Sequence, residues 1–217
     1  MSTANQTTLK VTHLNSFLNK PTLGNQNNPL VVSHLESINS TINKAIKEHT
    51  RTLAVRVDLR LPTNFIEDNN DVMKRFSASL LAKVKHWEKK KTELGIRIHS
   101  SNVRIVWARE QDSAQLHHYH VLLLFNKDTY FTLGRYDLSH DNLYSRIVTA
   151  WASALKVFAV DIQTLVHFPN NPTYFINANC TQFTEQFNAL FHRVSYFAKV
   201  RTKQFGEGHR TFGCSQK

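Results

Sequence analysis

Cysteine is scarce in this chain. Cys180 and Cys214 are the only two in 217 residues, and no Cys-x-x-C occurs. That argues against a cysteine-built zinc site and fits a reducing compartment. Each thiol reads as a packing residue or a free thiol, not a catalyst. The chain also lacks any run of about 18 apolar residues, the length a membrane-spanning helix needs. Its first residues, Met-Ser-Thr-Ala-Asn-Gln-Thr-Thr, contain no apolar segment of the secretory kind. A cytoplasmic protein without membrane attachment is expected. No Gly-x-x-x-x-Gly-Lys-[Ser/Thr] loop is present, so an NTPase engine is excluded. Acidic residues are in deficit: 16 Asp and Glu against 27 Lys and Arg, a net charge of +11. Such an imbalance favours a polyanionic partner, nucleic acid or an anionic surface, although it also describes a merely soluble basic protein.

What is present suffices for a fold. Hydrophobic residues make up 41% of the chain, enough for a sizeable core in one domain, or one domain plus an arm. Residues 1–33 are rich in Asn, Thr, Gln and Ser, with Pro21 and Pro29, and read as a loosely ordered lead-in. Ser33 and Glu36 have capping-box spacing ahead of Leu35, Ile38, Ile42 and Ile46, which predicts a helix over 34–48. Residues 1–48 are therefore read as an arm plus helix, and 49–217 as the main domain.

Over 52–60, Leu53, Val55, Val57 and Leu59 alternate with Arg56, Asp58 and Arg60, the pattern of a half-buried strand. A second helix over 69–90 carries Met73, Phe76, Leu80, Val84 and Trp87 on one stripe and ends in Lys89-Lys90-Lys91, read first as a solvated helix end. Strands are expected over 103–110 and 116–125, joined as a hairpin. A helix is expected over 142–155, a strand over 160–166, a last helix over 181–202 and a loop tail over 204–217. The order α-β-α-β-β-α-β-α predicts an α+β fold. Its central antiparallel sheet, with helices packed against it, resembles the split βαβ plan of RNA-recognition-type and ferredoxin-like domains.

Two constellations carry chemistry. His118-Tyr119-His120 lies inside the longest expected strand, where residues i and i+2 share a face, so both imidazoles can hold one metal ion. Twelve histidines give about 0.7 chance His-x-His pairs, so the pair alone is a weak signal. Glu110 closes the preceding strand; if the two strands form a hairpin it lies near His118 across the turn and completes a three-ligand set with open positions, and otherwise it reads as an ordinary exposed turn carboxylate. Asp58 is a rival third ligand. Mixed N/O ligation suits Mn²⁺, Mg²⁺ or Zn²⁺. In the last helix, Phe183, Phe187, Leu190, Val194 and Phe197 form an apolar stripe, and His192, Tyr196, Lys199 and Lys203 fall opposite. A phenol beside a cation and a metal-polarised phosphate can act as a nucleophile. Taken alone, Tyr196 also reads as an exposed residue on a basic helix face.

In this order, His118-Tyr119-His120 and Tyr196-Phe197-Ala198-Lys199 resemble the His-hydrophobic-His and Tyr-x-x-Lys motifs of the HUH endonuclease superfamily. Val200 offers no second tyrosine, so the likeness is to the single-tyrosine type. Arg56-Val57-Asp58-Leu59-Arg60, Trp107-Ala108-Arg109-Glu110, Ala150-Trp151-Ala152-Ser153-Ala154-Leu155, Val166-His167-Phe168-Pro169 and Ser195-Tyr196 also resemble the inovirus-type replication protein family. That family includes the YagK/YfjJ C-terminal domain of prophage elements. The resemblance covers roughly residues 50–217. It departs from many HUH initiators at the first strand, which has Arg56-Val57-Asp58-Leu59-Arg60 in place of a Thr-rich motif.

The resemblance implies a rolling-circle replication initiator that nicks and rejoins single-stranded DNA through a 5′-phosphotyrosine. Tyr196 and Lys199 would be catalytic, and Glu110, His118 and His120 would bind Mn²⁺ or Mg²⁺. Arg56, Arg60 and Lys203 would contact single-stranded DNA or a hairpin origin. A host helicase and polymerase would be partners, since no helicase domain follows. Rival readings are a non-enzymatic DNA-binding prophage regulator on the same scaffold and an RNA-recognition-like sheet. The latter has only Tyr119 as a mid-strand aromatic. A 2H phosphoesterase is set aside, because only His99-Ser100-Ser101 fits its pattern. His167 reads as a loop histidine.

Overall fold

The computed structural model of the chain describes residues 9–63, 65, 72–111, 117–201, 203 and 210–216. The N-terminal stretch expected as a loose lead-in is folded where it is described. Strand β1 (Val11–Thr12) pairs antiparallel with β4 (Leu30–Val31), and β2 (Ser16–Phe17) with β3 (Lys20–Pro21). Strand β4 runs directly into helix α1 (Val32–Glu48), whose start has no side-chain cap. Ser33 lies inside the helix, so the Ser33/Glu36 capping-box spacing is not used. Leu35, Ile38, Ile42 and Ile46 are buried as their periodicity predicts.

Strand β5 (Arg51–Arg60) organises the rest. Its alternation predicts half burial, yet both its faces are covered. Leu53, Val55, Val57 and Leu59 pack with helices α2 (Val72–Glu93) and α3 (Leu143–Leu155). On the other face Ala54 packs with α1 and with α4 (Phe183–Ser195), and the alternation of a strand sends Arg56 and Asp58 the same way. Polar residues on that face therefore do not mean solvent; they mean an inner site.

Strand β7 (His118–Asn126) lies between β5 and β6 (Arg104–Glu110). Strand β10 (Phe212–Cys214) pairs with β6, while β8 (Val166–His167) and β9 (Thr173–Asn177) share the outer side of β5. Every pairing in this six-stranded sheet is antiparallel. The crossover β5–α2–β6 leaves β7 between its two strands, and β7–α3–β9 leaves β5 between its own. The fold is thus α+β, with a helix pair on each face of an antiparallel sheet.

Trp151 anchors the α2/α3 face. It is fully buried, its indole N–H donates to the Arg60 carbonyl at 2.9 Å, and its ring meets Phe76 and Tyr119 edge-on. Truncating such a residue costs about 3–5 kcal/mol. Helix α3 starts on a reciprocal cap: the Asn142 side chain accepts from the Ser145 N–H at 2.9 Å, and Ser145 Oγ accepts from the Asn142 N–H at 3.1 Å.

Three expectations need correction. The strand expected over 160–166 is a pair of 3-10 turns, Ala159–Asp161 and Gln163–Leu165, before the short β8. The apolar residues there do not share one face: Ile162 is buried and Val160 is exposed. Helix α4 ends at Ser195, not near 202, and passes into a 3-10 turn over Tyr196–Ala198. The chain leaves the helix because the following residues join the N-terminal segment. Lys199 bridges Leu30, Val200 N–H donates to the Pro29 carbonyl, and Ser195 Oγ accepts from the Leu23 N–H. The tail expected as a loop includes β10; residues 204–209 lie outside the described residues. Among the described residues no helix is long and apolar enough to cross a membrane.

Candidate metal and nucleophile site

The sheet register builds the site. His118 stands opposite Glu110 on β6 and Arg60 on β5, and His120 stands opposite Ala108 and Asp58. The hairpin expected from sequence is therefore formed, and it brings Glu110 to the two imidazoles. One ligand atom from each of Glu110, His118 and His120 lies within 4.8 Å of the others. The two Nε2 atoms are 3.2 Å apart, and Glu110 Oε2 is 3.4 Å from His120 Nε2. Ligands at about 2.1 Å from one ion are separated by roughly 3.0–3.4 Å in octahedral or tetrahedral geometry, a spacing that the His118–His120 and Glu110–His120 pairs match.

Asp58 occupies a different position. Its Oδ1 lies 2.6 Å from His120 Nδ1, the ring nitrogen turned away from the cluster. It fixes the tautomer that leaves Nε2 with a lone pair for a metal, the arrangement of a carboxylate behind a ligating histidine. His167 Nδ1 sits 3.6 Å from the other Asp58 oxygen, so this residue belongs to the rim of the site and not to a plain loop. Burial alone would lower the His120 pKa, but its hydrogen bonds to Asp58 and Glu110 outweigh burial and raise it. Burial and the neighbouring His120 lower that of His118. Burial would raise the Asp58 carboxyl, yet the His120 hydrogen bond and the Arg56 charge hold it below the usual range.

Tyr196 follows α4 by one residue and stands over this cluster. Its ring meets the His120 ring edge-on at 5.1 Å between centroids. Lys199 Nζ lies 4.0 Å from the Tyr196 ring centroid, and the Arg56 guanidinium lies 5.3 Å from it. Two cations thus flank one phenol, and either can stabilise negative charge on its oxygen. Lys199 reaches the ring from the extended chain beyond the 3-10 turn, not from the helix face on which it was expected.

Of the three expected DNA-backbone contacts, only Arg60 is exposed. Arg56 is 7% exposed and packs on Tyr196 and Phe197. Lys203 has a side chain 0% exposed; its ammonium lies 3.3 Å from Glu110 Oε1 and donates to the Lys199 carbonyl at 2.8 Å. Burial lowers its pKa, and the Glu110 charge opposes that. Lys203 therefore ties the Tyr196–Lys199 segment to a candidate metal ligand. The helical-wheel reading missed this because the helix stops before it.

Residues 12–215 match the YagK/YfjJ C-terminal domain family. The chain belongs to that family. Relatives include two Escherichia coli K12 proteins, both described only as uncharacterized. YagK is 41% identical over 198 residues, covering 84% of this chain and 94% of YagK. YfjJ is 36% identical over 192 residues, covering 83% of this chain and 92% of YfjJ. No solved structure matches the chain. The family match spans β1 to β10, so the N-terminal strands and α1 fall within it together with the sheet.

Proposed function

We propose that the chain is a single-tyrosine HUH endonuclease, a rolling-circle replication initiator of a phage or prophage element acting in the cytoplasm. One observation carries the reading: the Tyr196 ring stands 5.1 Å from His120, inside a cluster of Glu110, His118 and His120, with the Lys199 ammonium over the phenol. The strand order β9-β5-β7-β6, with both crossovers split, supports it, because this is the plan of ferredoxin-like domains. The net charge of +11 suits a DNA substrate.

The residues divide the work as follows. Glu110, His118 and His120 would hold Mn²⁺ or Mg²⁺, and Asp58 orients His120. When bound, the ion supplies polarisation of the scissile phosphate. Tyr196 Oη attacks phosphorus in line; the P–O3′ bond breaks, and the phenol proton ends on the departing 3′ oxygen. The tyrosine is left esterified to the 5′ phosphate, and the free 3′-OH primes a host polymerase working with a host helicase. Lys199 and Arg56 stabilise the phenolate as it forms. Attack by a 3′-OH on the phosphotyrosine reverses the step and rejoins the strand.

The test is incubation with labelled single-stranded DNA from the parent element, with Mn²⁺ or EDTA, followed by denaturing electrophoresis. A metal-dependent protein–DNA adduct that disappears in Tyr196→Phe is expected. Tight DNA binding with no adduct on a substrate containing the origin would instead assign the chain as a non-enzymatic DNA-binding regulator.

A further inference from the structure

With Arg56 and Lys203 drawn into the site, Arg60 is the one expected backbone contact left exposed there, and a DNA backbone needs more positive charge than that. One basic cluster lies on α2, in the helix layer on the far face of the sheet from Glu110, His118 and His120. Lys83, His86, Trp87 and Lys90 follow one another at i, i+3, i+4 and i+7 and form one wall of a groove of about 620 Å³. Arg146 of α3 and the loop through His140 form the other wall.

The nearby carboxylates are already engaged. Asp141 pairs with Arg146, Asp137 with His140 at 2.6 Å, and Glu93 with Lys89 at 3.8 Å. Glu88 is buried and accepts from the Ser101 N–H and the Tyr130 hydroxyl, each at 3.1 Å. Lys83, Lys85 and Lys90 form no ion pair among the described residues. Within the groove Asp141 therefore balances Arg146, and the ammonium groups of Lys83 and Lys90 are left as net positive charge.

We infer that this α2/α3 groove is a second nucleic-acid surface that takes the phosphate backbone of duplex DNA flanking the cleaved strand. It deepens the nicking reading and rests on it for the identity of the polyanion. Duplex backbone is favoured over unpaired bases because the one indole in the groove is already engaged. Arg146 lies 4.5 Å from the Trp87 ring centroid, Lys91 5.6 Å, and the Tyr130 ring 5.4 Å. Base stacking needs an open aromatic face, whereas phosphate contact needs only mobile cations on a firm wall. Lys90 is exposed and Lys83 half-exposed, so both can reach a backbone.

The experiment measures binding of the full chain to a fluorescent random-sequence duplex by anisotropy across a salt series. It compares wild type, Lys83→Gln/Lys90→Gln and, as an equal-charge control on α1, Lys44→Gln/Lys47→Gln. Each phosphate contact contributes about 0.9 to the slope of log K against log salt, so the α2 double variant is expected to flatten the slope by about 1.8. The α1 pair should leave it near wild type, and the effect should be larger on the duplex than on a single-stranded oligothymidine. An unchanged slope, an equal change in the two double variants, or an effect confined to the single strand would overturn the inference. No cleavage enters this readout, so absence of a Tyr196 adduct would sink the nicking reading separately.

Discussion

Replacing Asp58 with Asn isolates the part of the site that only the structure assigns. Asp58 Oδ1 and His120 Nδ1 are 2.6 Å apart, with side chains 14% and 7% exposed, so the contact is short and little screened. Asparagine keeps an acceptor oxygen for the Nδ1–H. The ring should stay in place and in the same tautomer, and only the negative charge behind it is lost. That charge is what makes His120 Nε2 a stronger donor. Loss of such an outer partner typically weakens metal binding about 10- to 100-fold, or roughly 1.4–2.7 kcal/mol.

The assay is a calorimetric titration of Mn²⁺ into wild type, Asp58→Asn, Glu110→Gln and His167→Ala at one pH, with melting curves to establish that each is folded. Glu110→Gln removes a ligand and should lose the most. Asp58→Asn should fall between it and wild type. His167 is 3.6 Å from Asp58 with a side chain 48% exposed, so His167→Ala should bind within about twofold of wild type. Asp58→Asn binding as tightly as wild type, or no tighter than Glu110→Gln, would refute the placement of Asp58 behind the cluster.

Lys203→Met should cost about 3–5 kcal/mol in urea unfolding, because it leaves Glu110, 1% exposed, without its buried counter-charge. Mn²⁺ should restore part of that loss if Glu110 is a ligand; a cost under about 1 kcal/mol would contradict the ion pair's role. The two histidines act oppositely on metal-free stability. His120, with a raised pKa, stabilises fully below about pH 6.5 and loses that contribution as pH rises through its folded value; His118, with a lowered pKa, contributes fully above about 6.5 and loses it as pH falls. A melting-temperature profile in EDTA should therefore show a contribution peaking near pH 6.5 that is removed in His118→Ala/His120→Ala; identical profiles in the two proteins would refute it. At Gly213 a Cβ would lie 2.6 Å from the Trp107 indole, a rigid neighbour, so Gly213→Ala should cost about 1–3 kcal/mol by thermal melting and loosen β10 from β6.

The parts of this fold that can be read from sequence are those where a single local rule decides. The stripe of α1, the alternation of β5 and the β6–β7 hairpin follow from periodicity, and the hairpin places Glu110 opposite His118. What could not be read depends on what lies across from a residue. Alternation gives β5 two faces but not what covers the polar one, so Arg56 resembles a surface residue until the turn after α4, with Tyr196 and Phe197, is laid over it. The same limit hides Asp58: its place at Nδ1 follows from the pairing of β5 with β7, strands separated in sequence by α2 and β6. Likewise, Phe183 to Phe197 keeps helical spacing past Ser195, and only the bridge from Lys199 to Leu30 shows where the helix ends.

That early end of α4 is what makes the candidate site compact. A helix continued to residue 202 would carry Lys203 away along its axis, about 1.5 Å per residue. The extended chain at Lys199 instead brings Lys203 back beneath it, where its ammonium reaches both the Lys199 carbonyl and Glu110. The Tyr196 segment and the candidate ligand are thereby joined through one buried side chain. Pro29 and Leu30 hold the same turn from the N-terminal side. Leu23, Pro29 and Leu30 therefore bear on the position of Tyr196, although they lie outside the cluster itself. A truncated chain beginning at residue 49 would lose that support along with α1. It should show a Tyr196 segment detached from His120, seen as faster amide exchange at Lys199 and Val200, and persistence of full-chain protection there would show that the turn holds on its own.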